Sequence, residues 1–322
     1  MEAVLRSDAA YQVVALRSGF SCGMSGLTFL DKDSLRNSNL DPYNERKRLY
    51  QITHRKMVES SVGQMTFSEF LKITAFDDLE TLLFGIYCQT YPNATEFTVT
   101  CGKCGKPSQV QVHPMSFINV HDEDVYLFIN DIVARKQKPM ELLGQSLVHS
   151  HERILLPETK IVVDIRTPSL EDHLETMARY NDQTMAQSRE TFGCMIYIDQ
   201  VLVPNLQAMR ASGKAVYSKL ENFDEAFHVV CGLRTDGEVL NAAINRRERK
   251  FAVTFRIKSV PCSGCKEDMG EIPIDVENLL YFQMEESRRR AEEDPADKDP
   301  VEEAPVEGQT PDQPPTSDST TE

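Results

Sequence analysis

The spacing of apolar residues along this chain switches repeatedly between a strand-like period of two and a helix-like period near 3.6. Alternation is clearest in Phe97-Thr98-Val99-Thr100, Val110-Gln111-Val112, the stretch 255–260 and Ile272-Pro273-Ile274-Asp275, each predicted to be a strand. Residues 11–16 and 160–166 also read as strands. Residues 45–58 carry an apolar stripe (Leu49, Ile52, Met57) on a charged background and read as an amphipathic helix. Thr66 and Glu69 have capping-box spacing before Phe70, Leu71 and Ile73; so do Ser218 with Glu221 and Thr235 with Glu238. Asp77 or Asp78 is expected to cap a helix through Leu79, Leu82, Leu83, Ile86 and Tyr87, which Pro92 stops. Residues 125–136, 141–149 and 279–293 read as helices. Thr167-Pro168 is read as a helix start with Pro in the first turn, and the apolar stretch 185–198 as buried.

The paired strands matter because each pair encloses a short cysteine motif. Cys101-Gly102-Lys103-Cys104 lies between the first two strands, and Cys262-Ser263-Gly264-Cys265 between the last two. A strand–CxxC–strand unit offers two thiolates, so two units supply the four that a tetrahedral structural zinc needs. The predicted ligands are Cys101, Cys104, Cys262 and Cys265. Their separation along the chain implies a zinc ribbon split by a large insertion. A thioredoxin-like redox motif would instead open a helix, and here a strand follows each knuckle. Cys22, Cys88, Cys194 and Cys231 are single and read as reduced thiols. Residues 1–6 have no apolar core of a secretory signal. A reducing compartment, in which zinc is favoured over disulfides, is the expectation.

Charge narrows the functional classes. The formal net charge is −15 over 322 residues, the opposite of the basic face used to bind nucleic acid. Residues 285–322 hold 13 acidic and 4 basic side chains, a net of −9. This Pro-, Ser- and Thr-rich tail has too few large apolar residues to offset its ordering entropy, and it is expected to be disordered from about residue 294. No apolar run approaches the length of a membrane span.

Catalytic readings fare poorly. Gly19-Phe20-Ser21-Cys22-Gly23 matches a nucleophile-elbow pattern, but Met24-Ser25-Gly26-Leu27-Thr28 is a poor helix start, and the elbow needs a helix there. His149-Ser150-His151 lacks neighbouring carboxylates or cysteines, and His113 is redundant beside four thiols. A site of four thiolates leaves zinc no open position and is structural rather than catalytic. Arg246-Arg247-Glu248-Arg249-Lys250 is a short basic run that suits a helix C-terminus. No phosphate loop or dinucleotide fingerprint is present, and no enzymatic activity is expected.

The order of features resembles the T4-type base plate protein family, the baseplate hub proteins of contractile-tailed bacteriophages. The resemblance runs from a short N-terminal strand and Gly-bearing loop through Met65-Thr66-Phe67-Ser68-Glu69-Phe70-Leu71 to the helical stretch 79–91, which leads to the first CxxC. It ends at the second CxxC, Ile272-Pro273-Ile274 and the pair Tyr281-Phe282. The Gly-rich loop lacks the Pro-Ser-Gly-like run of that family, and the acidic tail lies outside its pattern. The resemblance implies a non-enzymatic virion component, with other baseplate or tail proteins as partners, located in the tail baseplate and, during assembly, in the host cytoplasm. The alternative is an intracellular zinc-ribbon adaptor contacting nucleic acid or a polymerase; the acidic charge makes nucleic acid the less expected partner. The expected fold is α+β: an N-terminal strand and helical region (1–95), a split zinc ribbon of two CxxC hairpins (96–120 and 251–284), a mainly helical insertion (121–250) and an acidic tail (285–322).

Overall fold

A computed structural model describes residues 10–36, 40–116, 118–119, 146–148, 150–179, 193–249, 253–257 and 260–293. The chain mixes helix and strand, an α+β protein, and divides into residues 1–282 and residues 283–322.

Three antiparallel strands open the first unit: β1 (Tyr11–Ala15), β2 (Phe20–Met24) and β3 (Met57–Ser60), in the order β1-β2-β3. Between β2 and β3 lie helices α1 (Phe29–Arg36) and α2 (Pro42–Lys56). Asp41 caps α2 by accepting the Asn44 N–H, and Pro42 occupies its first turn. Helix α3 (Phe67–Ile73) begins with the expected reciprocal box of Thr66 and Glu69. A 3-10 turn, Phe76–Asp78, leads into α4 (Leu79–Thr90).

Helix α4 is apolar nearly all round and is buried almost throughout, as a central helix must be. It lies on β1 and β2, with Phe84 edge-on to Tyr11 at 6.0 Å and against Phe255 at 4.6 Å. Gly85 permits this approach. A Cβ there would stand 2.8 Å from side-chain atoms of both Val13 and Met24.

The hairpin β4 (Thr95–Thr100) with β5 (Pro107–Val112) follows. In β5, Ser108, Val110 and Val112 are buried and the residues between them exposed, the alternation expected of a half-buried strand. Strand β6 (Ile118–Asn119) pairs antiparallel with β11 (Thr254–Ile257), which also pairs with β12 (Ile272–Pro273). Thus the strand after the first cysteine hairpin is zipped to the strand that opens the second.

The intervening segment departs from expectation. It contains a four-stranded antiparallel sheet, β10-β9-β8-β7, built from β7 (His151–Leu155), β8 (Val162–Arg166), β9 (Ile198–Pro204) and β10 (Tyr217–Lys219). Helices α5 (Leu170–Arg179), α6 (Leu206–Ser212), α7 (Phe223–Cys231) and α8 (Thr235–Arg249) accompany it. A single strand in a mainly helical insertion was the expectation. The others escaped because Glu152, Arg153, Asp199 and Gln200 interrupt their apolar residues, and Arg153 is balanced by a bidentate contact to Asp164 on β8. The second core joins β8 and β9 (Val163, Ile165, Val201) to α7 and α8 (Phe227, Leu240, Ile244).

Several boundaries are corrected. Ser169, not Pro168, starts α5: its hydroxyl accepts the Asp172 N–H and its own N–H goes to the Asp172 carboxylate. Asn222, not Ser218, caps α7, while Ser218 lies in β10. Asp78 precedes α4 but makes no capping bond. The helix expected at 125–136, residues 141–145 and 149 of the helix expected at 141–149, the tail beyond 293 and most of 185–198 lie outside the described residues. Residues 146–148 are not helical; Val148 forms a bridge with Thr167. The last helix among the described residues, α9, spans Val276–Glu293.

Asp78 serves a buried polar junction instead. It accepts the Ser18 N–H at 2.7 Å and the Ser18 hydroxyl at 2.6 Å, while Ser18 Oγ accepts the Ala75 N–H at 2.8 Å. Arg17 lies 3.6 Å from Asp77 and 3.9 Å from Asp78 and donates to the Glu248 carbonyl. Tyr197 donates to Asp77 at 2.5 Å. The β1–β2 turn, the 3-10 turn, the second sheet and α8 therefore meet at one charge-bearing node. Beside it His173 is buried, bonded to Tyr50 at 2.7 Å and stacked on Phe76 at 4.4 Å. Burial, reinforced by the Arg46 charge, pushes its pKa down to about 3.

Two measurements check this packing. Gly85→Ala is expected to cost about 1–2 kcal/mol in chemical denaturation, because overpacking exceeds the gain in helix propensity. Gly237→Ala, whose Cβ would meet only Leu233 at 3.6 Å, is expected to be neutral or stabilising. The second concerns pH. His173 is neutral in the fold and protonates in the unfolded chain near its ordinary pKa, so unfolding takes up a proton below about pH 6.5. Its contribution is complete above that pH and is lost as pH falls towards 3. Relative to His173→Gln, the wild type is expected to lose about 1.4 kcal/mol per pH unit below 6.5, read as the difference between the two stability–pH curves.

Candidate metal centre

Each knuckle is a turn closed by the same pair of backbone bonds. In the first, the Gly105 N–H reaches the Cys101 carbonyl at 2.8 Å and the Cys101 N–H reaches the Lys106 carbonyl at 3.1 Å. In the second, Lys266 and Glu267 do the same for Cys262, at 3.1 and 2.8 Å. Both turns need a left-handed residue just after the second cysteine. Gly105 supplies it at φ 70°, and Lys266 adopts it at φ 62°. Lys266 carries a side chain where glycine is the unstrained choice.

The knuckles face one another. Cys104 Sγ lies 3.5 Å from Cys262 Sγ, and Cys101 Sγ lies 3.8 Å from Cys265 Sγ. All four sulfurs fall within 4.8 Å of one another, and among the described residues they form the one group of His, Cys, Asp or Glu with metal-binding proximity. Cys101 and Cys262 are buried, whereas Cys104 and Cys265 are exposed. All four are free thiols.

The surroundings fix this approach. Ser108 on β5 accepts the Ser263 N–H at 3.0 Å, and its hydroxyl contacts Ser263 Oγ at 3.0 Å and Cys262 Sγ at 3.9 Å. Lys103 and Glu267 pair across the knuckles at 3.0 Å; an exposed pair of this kind contributes little. Gly264 lets the second knuckle sit on Lys106, for a Cβ there would come within 2.7 Å of that side chain and 3.4 Å of Cys104 Sγ. Nothing in the spacing of the cysteines signals the parts played by Ser108, Lys106 or Gly264. They are visible only once the hairpins face each other.

The electrostatics favour a cation among the sulfurs. Backbone N–H groups of Cys104 and Lys103 lower the Cys101 thiol, and those of Cys265 and Gly264 lower Cys262 to about 6. Cys265 is pushed up to about 11: the Glu267 N–H favours its thiolate, but desolvation and the three neighbouring sulfurs outweigh it. Two thiols are thus prepared to ionise where further negative charge is resisted, and a divalent cation resolves that conflict. The geometry also fits zinc: Zn–S bonds of about 2.3 Å in a tetrahedron set sulfur–sulfur edges near 3.8 Å.

The other candidates lie elsewhere. Ser21 is within β2, its N–H bonded to Ser61 Oγ, so no strand–turn–helix elbow exists. His113 is exposed outside the cluster, and His151 pairs with Asp199 on the second sheet; His149 lies outside the described residues. Arg246 and Arg247 are taken up by Glu152, Ser150 and Thr167. No helix among the described residues is long and apolar enough to cross a membrane. No protein-family model, curated protein or solved structure matches the chain.

The left-handed positions give a paired prediction. Lys266→Gly is expected to raise stability by about 0.5–1 kcal/mol, and Gly105→Ala to lower it by at least as much, both read from thermal unfolding.

Proposed function

We propose that Cys101, Cys104, Cys262 and Cys265 hold one structural zinc that closes a split ribbon, and that the protein is a non-enzymatic structural or assembly component of a phage tail baseplate. The observation that carries the zinc reading is the convergence of four thiols within 4.8 Å from knuckles more than 150 residues apart. A closed thiolate shell leaves no position for substrate or water, which supports a structural role. When bound, zinc would supply the positive charge that lets all four thiolates coexist, and its binding energy would add directly to folding.

The baseplate assignment rests on the feature order running from β1 to Tyr281-Phe282. Protein–protein contact is the mode of action in this reading. A ribbon clamped by metal offers a stiff hairpin pair that docks without needing a large core of its own. The pairing of Arg246 and Arg247 with their own chain, and a net charge of −15, weigh against the nucleic-acid adaptor.

Elemental analysis of the purified protein is expected to find one zinc per chain, absent from Cys262→Ser/Cys265→Ser. A metal-free wild type, or zinc retained in that variant, would refute the metal reading. The assembly reading is tested separately by mass spectrometry of purified phage particles and by the neighbouring genes. Tail genes on both sides support it. Metabolic or transcription neighbours, with the protein missing from particles, would sink it.

A further inference from the structure

We propose that the four-thiol cluster is also a peroxide-sensitive modification site that oxidises to two disulfides across the knuckles, Cys104–Cys262 and Cys101–Cys265. The pairing follows from position. Each close sulfur contact, at 3.5 and 3.8 Å, joins one knuckle to the other. Each also joins an exposed cysteine to a buried one: Cys104 to Cys262, and Cys265 to Cys101. Whichever sulfur of a pair is oxidised first, the other stands within reach to resolve it.

The chemistry balances with hydrogen peroxide as the named oxidant. In each pair one sulfur, as the thiolate, attacks one peroxide oxygen; the O–O bond breaks, an S–O bond forms, and hydroxide leaves. The sulfur is now a sulfenic acid, oxidised by two electrons while the peroxide is reduced. The partner cysteine, as the thiolate, then attacks that sulfur, the S–S bond forms, and a second hydroxide leaves. Two peroxides convert four thiolates into two disulfides. A metal held by those thiolates loses every anionic donor and is released.

The consequence for the fold is specific. Disulfides within each CxxC would leave the knuckles unlinked. Cross-knuckle disulfides replace one clamp by another and keep β4–β5 tied to β11–β12 after the metal has gone. The inference uses the same cysteines as the zinc reading but depends on sulfur positions, so the two can fail independently.

The test titrates the purified full-length chain with hydrogen peroxide. Zinc release is followed with a chromophoric chelator, and disulfides are mapped by non-reducing peptide mass spectrometry with fragmentation. Trypsin cuts after Lys103, which separates Cys101 from Cys104. The expected result is Cys104–Cys262 with Cys101–Cys265, complete at about two peroxides per chain and reversed by dithiothreitol. Zinc, where present, should be released in step. Cys104→Ser/Cys262→Ser is expected to form the Cys101–Cys265 bond alone. Disulfides within a knuckle, sulfinic acid without disulfide, or thiols unchanged by peroxide would each overturn the proposal. A metal-free protein that still forms the cross-knuckle pair would uphold it while refuting the zinc reading. A zinc-loaded protein that forms only within-knuckle bonds would do the reverse.

Discussion

The constraint on which the architecture depends is that two knuckles separated by 158 positions, from Cys104 to Cys262, must present sulfurs 3.5 Å apart. The segment between them therefore has to start and finish in the same place. The β6–β11 pairing meets part of this requirement, because it makes the strand leaving the first hairpin a neighbour of the strand entering the second. Closing so long a loop by hairpin contacts alone is entropically costly, although that cost grows only slowly with length. A metal ion shared by both knuckles would secure the closure, and the matching hydrogen bonds of the two turns hold each cysteine pair ready for it.

A second junction ties the rest together. Arg17, Ser18, Asp77 and Asp78 bring the first sheet and the 3-10 turn against Tyr197 and the end of α8. Burial raises the pKa of Asp78 against the opposing pull of Arg17 and Ser18. Such a node contributes less by its net energy than by its geometry: a buried charge whose partner is displaced is costly, so few alternative arrangements compete. These polar contacts act beside apolar packing, in which Phe76 lies against the second core.

Much of this was legible in the amino-acid order, and the reasons differ element by element. The CxxC spacing and flanking alternation marked the four cysteines that converge, because a strand–CxxC–strand turn follows local rules that show in the sequence. The Thr66 capping box and the apolar helix at 79–90 were equally local. Of the sheet β7–β10 only β8 was read as a strand, since Glu152 and Arg153 in β7 and Asp199 and Gln200 in β9 interrupt the apolar residues there. Asp78 resembled a cap, yet Ser18, sixty positions away, claims its carboxylate. Ser169 was hidden behind Pro168, and Asn222 behind the more familiar Ser218-x-x-Glu221 pattern. In each miss, a contact distant in sequence or a competing local signal decided the outcome.

On the proposed reading one zinc staples the ribbon closed, and the insertion and flanking helices form the body that would contact other proteins. Its central claim is the coordination of one zinc by four sulfurs. Zinc K-edge X-ray absorption on the purified protein tests this most directly. A single shell of four sulfur scatterers at about 2.3 Å, with no nitrogen or oxygen ligand, is the expected spectrum. A mixed shell containing histidine or water, or no zinc edge in a folded protein, would contradict it.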